Sequence, residues 1–224
     1  MKISKNCYKL VVLYKRATFL YNIIMHYKEE KLLSIATAHN GHFFSKMADE
    51  YGIERRFIQQ LIQSNQLLKV SSGAYCLPDT IIDYPYIFAY FHKHCVFDLT
   101  TSLMLHGLIA YDDRVIEIAL PRGSNTTRYN ETNYFIQTRQ PLIYSQGITK
   151  VKTFTNHSVH TYNLEMTLVH LILSPKYRKQ DWFHHLLLEY LLSHDSKLLY
   201  QQAILIRKKE VVEKYITKLL KPTY

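Results

Sequence analysis

The sequence predicts an α+β protein with a small N-terminal module of helices and one hairpin, a mixed α/β middle and a helical tail. Apolar residues recur at helical spacing through 27–67, and the spacing then changes to alternation around a Ser-Ser-Gly turn. Strand-like alternation returns in 115–121 and 133–139, and leucine-rich helical patterns fill 181–224. The 224 residues, of which 47% are hydrophobic, suffice for two domains of this kind.

Residues 1–26 are expected to form an N-terminal extension. Their two apolar runs, "LVVLY" and "ATFLYNIIM", are separated by Lys15 and Arg16, and each run is too short to span a bilayer. No small-residue cleavage site of a signal peptide follows them. The pattern therefore predicts an amphipathic helix or a loosely packed segment, and no membrane partner.

The next segment, 27–78, predicts three helices followed by a hairpin. The helices are "YKEEKLLSIATAHNG", "SKMADEYG" and "IERRFIQQLIQSNQL", and the hairpin is "LLKVSSGAYCLP". Ala48 is small enough to let one helix cross another, and Gly52 accepts the left-handed backbone that a tight turn requires. These features predict a winged helix-turn-helix domain, in which one helix enters the major groove of DNA.

The helix after Gly52 has an apolar side and a polar side. Ile53, Phe57 and Leu61 predict the buried side. The polar side is expected to bind DNA through Arg55, Arg56, Gln59, Gln60 and Gln63. Arginine pairs with guanine edges and glutamine with adenine edges, and residues near the helix start reach bases best. We therefore expect the two arginines and Gln59 to contact bases, and the last two glutamines to lie nearer the DNA backbone.

The hairpin predicts the wing of this domain. Lys69, Ser71 and Ser72 are expected to touch DNA phosphates, through one cation, hydroxyl groups and backbone N–H groups. Two alternatives stay open for the whole module. The polar helix side is also typical of an ordinary solvated surface, and a winged helix can bind protein instead of DNA.

Residues 79–224 predict a second domain of mixed α/β type with a helical tail over 181–224. "YPYIFAYFHKHCVF" is aromatic and partly extended, and "LTTSLMLHGL" predicts a helix that ends at Gly107. Two strands follow, and then "ITKVKTFTNHSVHTYNL" predicts a hairpin that turns near Asn156. "LEMTLVHLIL" predicts a further helix, which Pro175 bounds.

The net charge of +10 indicates an anionic partner, nucleic acid first. In the second domain the basic residues outnumber the acidic ones, and five of them define a candidate basic surface: Arg122, Arg128, Arg139, Lys150 and Lys152. Such a surface would bind DNA phosphate, RNA or an acidic protein. Dispersed charge that only maintains solubility is an equal alternative.

The cysteines and histidines predict no cofactor and no metal site. Cys7, Cys76 and Cys95 are scattered and odd in number, so they indicate reduced thiols in a cytoplasmic protein and no disulfide framework. The "HKHC" segment lacks the second pair of ligands that a structural zinc site needs.

Three patterns that resemble enzyme sites each lack a residue that the chemistry needs, so we expect no enzymatic activity. The Gly123-Ser124 turn is not followed by the paired aspartates that would hold Mg²⁺ for nucleotidyl transfer. Ser102 and His106 lie one helical turn apart, but no acid is placed to orient the histidine. Asp112, Asp113 and Glu117 lie near one another, as in a metal-dependent nuclease, but no lysine follows Glu117, so they fit a turn and a charge on an edge strand.

Four segments carry a resemblance to a known family. They are "MADEYGIERRFIQQLIQSNQLLKVSSGAYCLP", "TTSLMLHGL", "IEIALPRG" and "TYNLEMTLVHLI", which together cover most of 27–175. In this order they resemble the AbiEi-type antitoxins of bacterial abortive-infection toxin–antitoxin systems, including the "GxY" ending of the wing. Met166 and His170 stand where that family usually has Arg and Asp.

The resemblance implies a repressor and antitoxin in one chain. The winged helix would bind an inverted repeat in the promoter of its own operon, as a homodimer or as paired monomers. The second domain would counteract a cognate nucleotidyltransferase-like toxin, with or without a stable complex. A protein- or RNA-interaction module, acting through the basic second domain without sequence-specific DNA binding, is the alternative function.

Overall fold

The computed structural model of the chain describes residues 5–110, 112, 115–129 and 134–221, with the side chains of 5–18, 21, 22 and 128 left out. The protein has a mixed α+β fold with two sheets in this part of the chain. It divides into two compact units, Met1–Ile82 and Asp83–Tyr224.

The first unit combines helices with a small antiparallel sheet. Its elements are α1 Lys5–Ala38, β1 His42–Phe44, α2 Ser45–Glu50, α3 Arg55–Gln63, β2 Leu68–Ser71 and β3 Ala74–Cys76. The strands lie in the order β1-β3-β2, so the hairpin of β2 and β3 pairs through β3 with β1. The three-residue strand β1 is buried at every position and shows no alternation, which is why the sequence does not predict it.

The turn between α2 and α3 has the geometry that its residues predict. Gly52 adopts a φ of +63°, in the left-handed region that glycine enters without steric cost. The Ile53 N–H donates to the Ala48 carbonyl at 2.9 Å, which closes the turn beside the small residue of α2. Ala48 itself has no exposed surface.

The core of the first unit lies where α1, α3 and the sheet meet. Leu32 and Ala36 of α1, Phe43 of β1 and Phe57 of α3 have no exposed surface, and Leu61 has 1%. Burying a leucine or phenylalanine side chain contributes about 1.5–3 kcal/mol to folding. The apolar side of α3 is therefore buried as its spacing predicts.

Helix α1 crosses the predicted boundary at residue 26 without interruption. Its backbone is helical from Lys5 to Ala38, and Leu32 is its first buried residue among the described side chains. The predicted domains 1–26, 27–78 and 79–224 stay predictions; the compact units of the fold divide after Ile82.

The second unit contains a five-stranded sheet and most of the helices. Its elements are α4 Tyr84–Phe91, β4 Val96–Phe97, α5 Leu99–Leu105, β5 Ile116–Pro121, β6 Tyr134–Arg139, α6 Pro141–Ser145, β7 Ile148–Lys152, β8 Ser158–Tyr162, α7 Leu164–Leu173, α8 Asp181–Ser193, α9 Ser196–Leu205 and α10 Lys209–Leu219. The strand order is β6-β5-β4-β8-β7. β5 with β6 and β4 with β8 are parallel pairs, and the other two are antiparallel.

Helix α7 is the centre of the second unit. All residues from Met166 to Ile172 are buried, including Thr167 and His170. The tail helices α8, α9 and α10 pack their apolar residues into the same core, among them Phe183, Leu199 and Val212. The predicted helical tail thus completes the core of the second unit.

The segment that looks extended in the sequence contains a helix. Residues 84–91 form α4, and only 96–97 form a strand. The Asp83 side chain accepts a hydrogen bond from the Tyr86 N–H at 3.0 Å, and Pro85 occupies the first turn. Both residues are typical of a helix start, but the many aromatic residues of the segment favour an extended chain when the sequence is considered alone.

No helix in the described ranges is long and apolar enough to cross a membrane.

Replacing Gly41 by alanine should destabilise the first unit more than the same change at Gly52. Both glycines have positive φ, +84° and +63°, so each substitution brings backbone strain of about 1–2 kcal/mol. At Gly41 the added Cβ would also collide with the Thr80 side chain, whereas at Gly52 no atom lies within 4 Å. Urea unfolding should therefore give a clearly larger loss for Gly41→Ala; equal losses would contradict this packing.

Candidate nucleic-acid interface

The polar side of α3 faces solvent. Four of the five predicted α3 contacts are exposed: Arg55, Arg56, Gln59 and Gln63. The Arg55 side chain keeps 75% of its surface and that of Arg56 keeps 53%. Phe57, Ile58 and Leu61 fix the opposite side in the core, so a ligand can reach the polar side without any change in the fold.

Gln60 differs from the other four. It is half-buried, and its Oε1 atom is buried with no hydrogen-bond partner among the described residues. A buried amide oxygen without a partner costs about 1–3 kcal/mol. Gln60 is thus partly turned into the protein, at the border of the polar side.

Both arginines of α3 have a carboxylate partner. Arg55 lies 3.6 Å from Oδ2 of Asp49, and Nε of Arg56 lies 3.0 Å from Oε2 of Glu54. All four side chains are at least half exposed, and exposed pairs of this kind are worth only about 0–1 kcal/mol. These pairs orient the guanidinium groups but are weak enough to be exchanged for an anionic ligand.

Helix α1 brings two lysines beside α2 and α3 that are distant from both helices in sequence. Nζ of Lys28 lies 3.4 Å from Oε1 of Glu54 and 5.0 Å from the ring centre of Phe57. Nζ of Lys31 lies 5.0 Å from the ring centre of Tyr51. The spacing of three residues predicts that both lysines share a side of α1, but only the fold reveals that this side faces α2 and α3.

The hairpin presents its predicted residues to solvent. Lys69, Ser71 and Ser72 are all exposed. Strand β2 is an edge strand with a register shift between Lys69 and Ser71, and Gly73 turns the chain with a φ of +76°. This hairpin and α3 belong to the same small unit.

The structure does not gather the five predicted basic residues of the second unit on one surface. Lys150 and Lys152 are exposed on one face of β7, two positions apart. Arg122 is exposed in the turn after β5, and β4 and β8 lie between β5 and β7, a separation of about 14 Å. The side chain of Arg128 lies outside the described residues.

Arg139 does not belong to a basic surface, because it is bound inside the unit. Its side chain is 13% exposed and forms an ion pair with the fully buried Asp98, with Nε 2.7 Å from Oδ2. The other carboxylate oxygen contacts Nδ1 of the buried His170 at 2.8 Å and accepts the Leu99 N–H at 2.8 Å. One carboxylate thus joins β4, β6, α5 and α7.

The buried network shifts the protonation of its members. Burial alone would raise the pKa of Asp98, but His170 and Arg139 hold it well below the usual range of a carboxyl. Burial lowers the pKa of His170, which Asp98 opposes. Nε2 of His170 is buried without a partner in the described part of the chain. We therefore assign a neutral imidazole that donates from Nδ1 to the carboxylate.

Glu117 is a second buried carboxylate and not the edge-strand charge that the sequence indicates. It is 1% exposed on β5, which has a neighbouring strand on each side. It accepts hydrogen bonds from the Thr100 N–H at 2.9 Å and from Nζ of Lys176 at 3.2 Å, and another from the Tyr177 hydroxyl. The partners of Glu117 are therefore groups of the protein's own fold, and its role is structural.

Ser102 and His106 also have structural partners. Ser102 is buried and lies 2.7 Å from both the Thr161 and the Thr167 hydroxyls. Nε2 of His106 lies 2.8 Å from the Tyr162 carbonyl oxygen. Within the described ranges, no group of histidine, cysteine and acidic side chains is placed to hold a metal ion.

Comparison with known proteins does not assign the chain to a family. No protein-family model matches it, and no curated protein is similar to it. Among solved structures it is similar to the RV2827C protein of Mycobacterium tuberculosis, with a TM-score of 0.39 and 10% identity over 88% of this chain and 83% of that one. A likeness of this size carries no argument, so the resemblance to AbiEi-type antitoxins stays a prediction.

Replacing Arg139 by methionine should strongly destabilise the second unit. The change leaves the charge of Asp98 buried without its cation, which typically costs about 3–5 kcal/mol. Arg122→Met is the matched control, because Arg122 is exposed and should cost less than about 0.5 kcal/mol. Denaturant unfolding measures both; similar losses would contradict the role of Arg139.

The lowered pKa of His170 predicts a loss of stability on acidification. Below about pH 6.5 the unfolded chain binds a proton at this histidine that the folded chain refuses, so stability falls as the pH drops toward the folded pKa. One such group changes the free energy of unfolding by up to about 1.4 kcal/mol per pH unit. His170→Gln should reduce this slope between pH 6.5 and 5, whereas Arg122→Met, an exposed change in the same unit that removes no histidine, should not. An unchanged slope in His170→Gln would refute the assignment.

Proposed function

We propose that this protein is a DNA-binding transcriptional regulator of antitoxin type, and that its first unit is a winged helix-turn-helix domain. One observation carries the proposal: α3 buries its apolar side and presents Arg55, Arg56, Gln59 and Gln63 to solvent. Arginine and glutamine are the side chains that read guanine and adenine edges in the major groove. The glycine turn before α3 and the exposed hairpin after it support the same interpretation.

The charges on and around α3 favour sequence-specific contacts with DNA bases over strong non-specific attraction to DNA phosphates. Residues 41–78 carry the cations Lys46, Arg55, Arg56 and Lys69 against the acids Asp49, Glu50 and Glu54. This segment alone obtains little affinity from phosphate neutralisation, so most of the electrostatic attraction would come from α1, whose Lys28 and Lys31 lie beside α3 and α2. Its discrimination between sequences would come from base contacts worth about 1–3 kcal/mol each.

The antitoxin part of the proposal rests on the sequence resemblance. The protein would repress its own operon and counteract a nucleotidyltransferase-like toxin encoded beside it, in the cytoplasm and without a catalytic step. Co-expression with that neighbouring reading frame tests this part, since the full chain should restore growth. Continued growth arrest would refute the antitoxin role and leave DNA binding intact.

A protein- or RNA-interaction module is the second candidate. Lys150 and Lys152 support it, because they project from one face of the edge strand β7, with exposed His160 opposite Lys150. An edge strand with exposed cations suits an acidic protein segment or an RNA backbone. This candidate predicts that operator-sized DNA binds weakly and without sequence preference.

Changing α3 should abolish sequence-specific DNA binding. In a gel-shift assay at fixed salt with the promoter of its own operon, Arg56→Ala combined with Gln59→Ala should weaken binding at least about 30-fold. Two lost base contacts of about 1 kcal/mol or more each account for this factor. Competition with unrelated DNA should show that the loss is in specificity.

Lys150→Ala combined with Lys152→Ala is the matched control. These exposed residues of β7 should leave promoter affinity within about threefold, as expected for one or two peripheral charges. If the α3 variant binds like the wild type and the β7 variant does not, the second candidate replaces the first.

A further inference from the structure

Helix α1 carries an exposed apolar stripe that the fold of its own unit does not use. Five large apolar side chains are at least half exposed there: Phe19 66%, Leu20 57%, Ile23 50%, Ile24 52% and Tyr27 64%. They occupy only nine consecutive residues of one helix. Contiguous exposed apolar surface of this kind marks an interaction site.

The stripe lies on the side of α1 away from its own unit. At 100° per residue, its centre is about 140° around the helix from the buried residues Leu32, Ile35 and Ala36. Lys28, which contacts the ring of Phe57, lies about 110° from the centre of the stripe, whereas Lys31, which contacts the ring of Tyr51, lies about 50° from it, beside Ile24. A partner that covers the centre of the stripe therefore leaves the core contacts of α1 in place.

The spacing within the stripe is that of a coiled-coil seam. Leu20, Ile24 and Tyr27 are separated by four and then three residues, and the sequence continues this 3–4 pattern backward through Ala17 to Leu13. Apolar residues repeating every 3.5 positions on average pack into the spaces of a like helix. The pattern thus favours another helix over a flat surface.

The charges along α1 indicate which helix fits. Arg16 and Glu30 are each seven residues from Ile23, and both positions fall on the side of the helix that carries the stripe. In an antiparallel pair of α1 helices centred on Ile23, position 16 of each copy lies opposite Glu30 of the other. A parallel pair would instead place like charges opposite each other, which is unfavourable.

The same acid argues against a lipid surface as the partner. Glu30 borders the stripe and is exposed beside His26, with 3.2 Å between Oε1 and Nε2. Helices that lie on anionic membranes flank their apolar side with cations; Arg16 and Lys28 do so here, but Glu30 carries the opposite charge. An acid at this border is repelled by anionic lipid but is complementary to the basic end of a second α1.

The area of the stripe fits a dimer of moderate strength. Phe19 and Tyr27, about two-thirds exposed, offer about 100–160 Å² each, and three aliphatic side chains add to them. This lies below the roughly 800 Å² per partner of a standard interface. The seam must therefore extend along the basic half of α1 to become stable, as the 3–4 pattern allows.

We propose that two copies of this protein associate through an antiparallel pair of α1 helices, centred on Ile23, that buries the stripe from Phe19 to Tyr27. The pairing has two-fold symmetry and closes on itself. It does not depend on DNA binding, so it stands or falls separately from the proposed function.

The oligomeric state without DNA tests the proposal. Light scattering during gel filtration should give about twice the monomer mass of 26.6 kDa at micromolar concentrations and above. Leu20→Glu combined with Ile24→Glu should give a monomer with unchanged circular dichroism. Leu192→Glu, at a side chain that is 89% exposed on α8, is the matched control and should stay dimeric. A monomeric wild type, or a dimer that survives the double change, would overturn the proposal.

Charge reversal tests the antiparallel arrangement. Glu30→Arg or Arg16→Glu alone should weaken the dimer at least about fivefold, because each places like charges opposite each other. The combined variant should recover the wild-type association. A double variant that is weaker than both single variants would exclude this register.

Cysteine crosslinking provides an independent test in chains whose Cys7 is replaced by serine. In an antiparallel pair, Phe19→Cys and Tyr27→Cys chains should crosslink when mixed and not when oxidised separately. Crosslinking of each variant with itself would indicate a parallel pair and overturn the proposal. Sedimentation of the monomer with phosphatidylglycerol vesicles would likewise overturn it, in favour of a lipid surface.

Discussion

The fold of the second unit depends on a carboxylate that has no contact with water. Asp98 follows the short strand β4 and begins α5, and it is satisfied by Arg139 at the end of β6, by His170 of α7 and by the Leu99 N–H. An unpaired charge at this depth would cost several kcal/mol, so the unit is stable only when all these elements are in place. Leu99, which supplies the N–H, has a φ of +51°. A leucine persists in that conformation only where its surroundings impose it.

The buried carboxylates reduce the positive charge that a ligand can reach. Asp98 uses the charge of Arg139, and Glu117 on the neighbouring strand takes a hydrogen bond from Lys176. These cations balance internal acids and add little to the field outside. The net charge of +10 is a property of the whole sequence, but the charge available to a ligand depends on which cations remain exposed. The same distinction explains why the excess of basic over acidic residues in the second domain predicts a basic surface, whereas the fold buries Arg139 and separates Arg122 from Lys150 and Lys152.

Local chemistry predicts much of this fold, and long-range contacts account for what it misses. Gly52, Gly107 and Asn156 all have positive φ where the sequence predicts turns or helix ends, because that requirement belongs to the residue itself. The roles of Arg139 and Glu117 could not be predicted, since their partners lie 41 and 59 or 60 positions away. The α3 side chains belong to the first group: helical spacing alone predicts which of them face solvent. Gln60 lies at the border of that side, where helical spacing alone does not predict whether a side chain is exposed or buried.

The proposed DNA binding by α3 and the proposed pairing of α1 helices are connected through the affinity for DNA. If α3 reads DNA as proposed, its arginines must exchange their carboxylate partners for the ligand, and the four cations of 41–78 are nearly balanced by three acids, so this segment of a single copy would contribute little affinity. Joining two such modules makes the second binding event intramolecular and multiplies the affinity without a new contact. Two-fold pairing also matches the symmetry of an inverted repeat. Arg16 has a use in this arrangement beyond DNA, because in an antiparallel pair its position lies opposite Glu30 of the other copy. A dimer of this kind would therefore discriminate between sequences by base contacts and reach useful affinity by association.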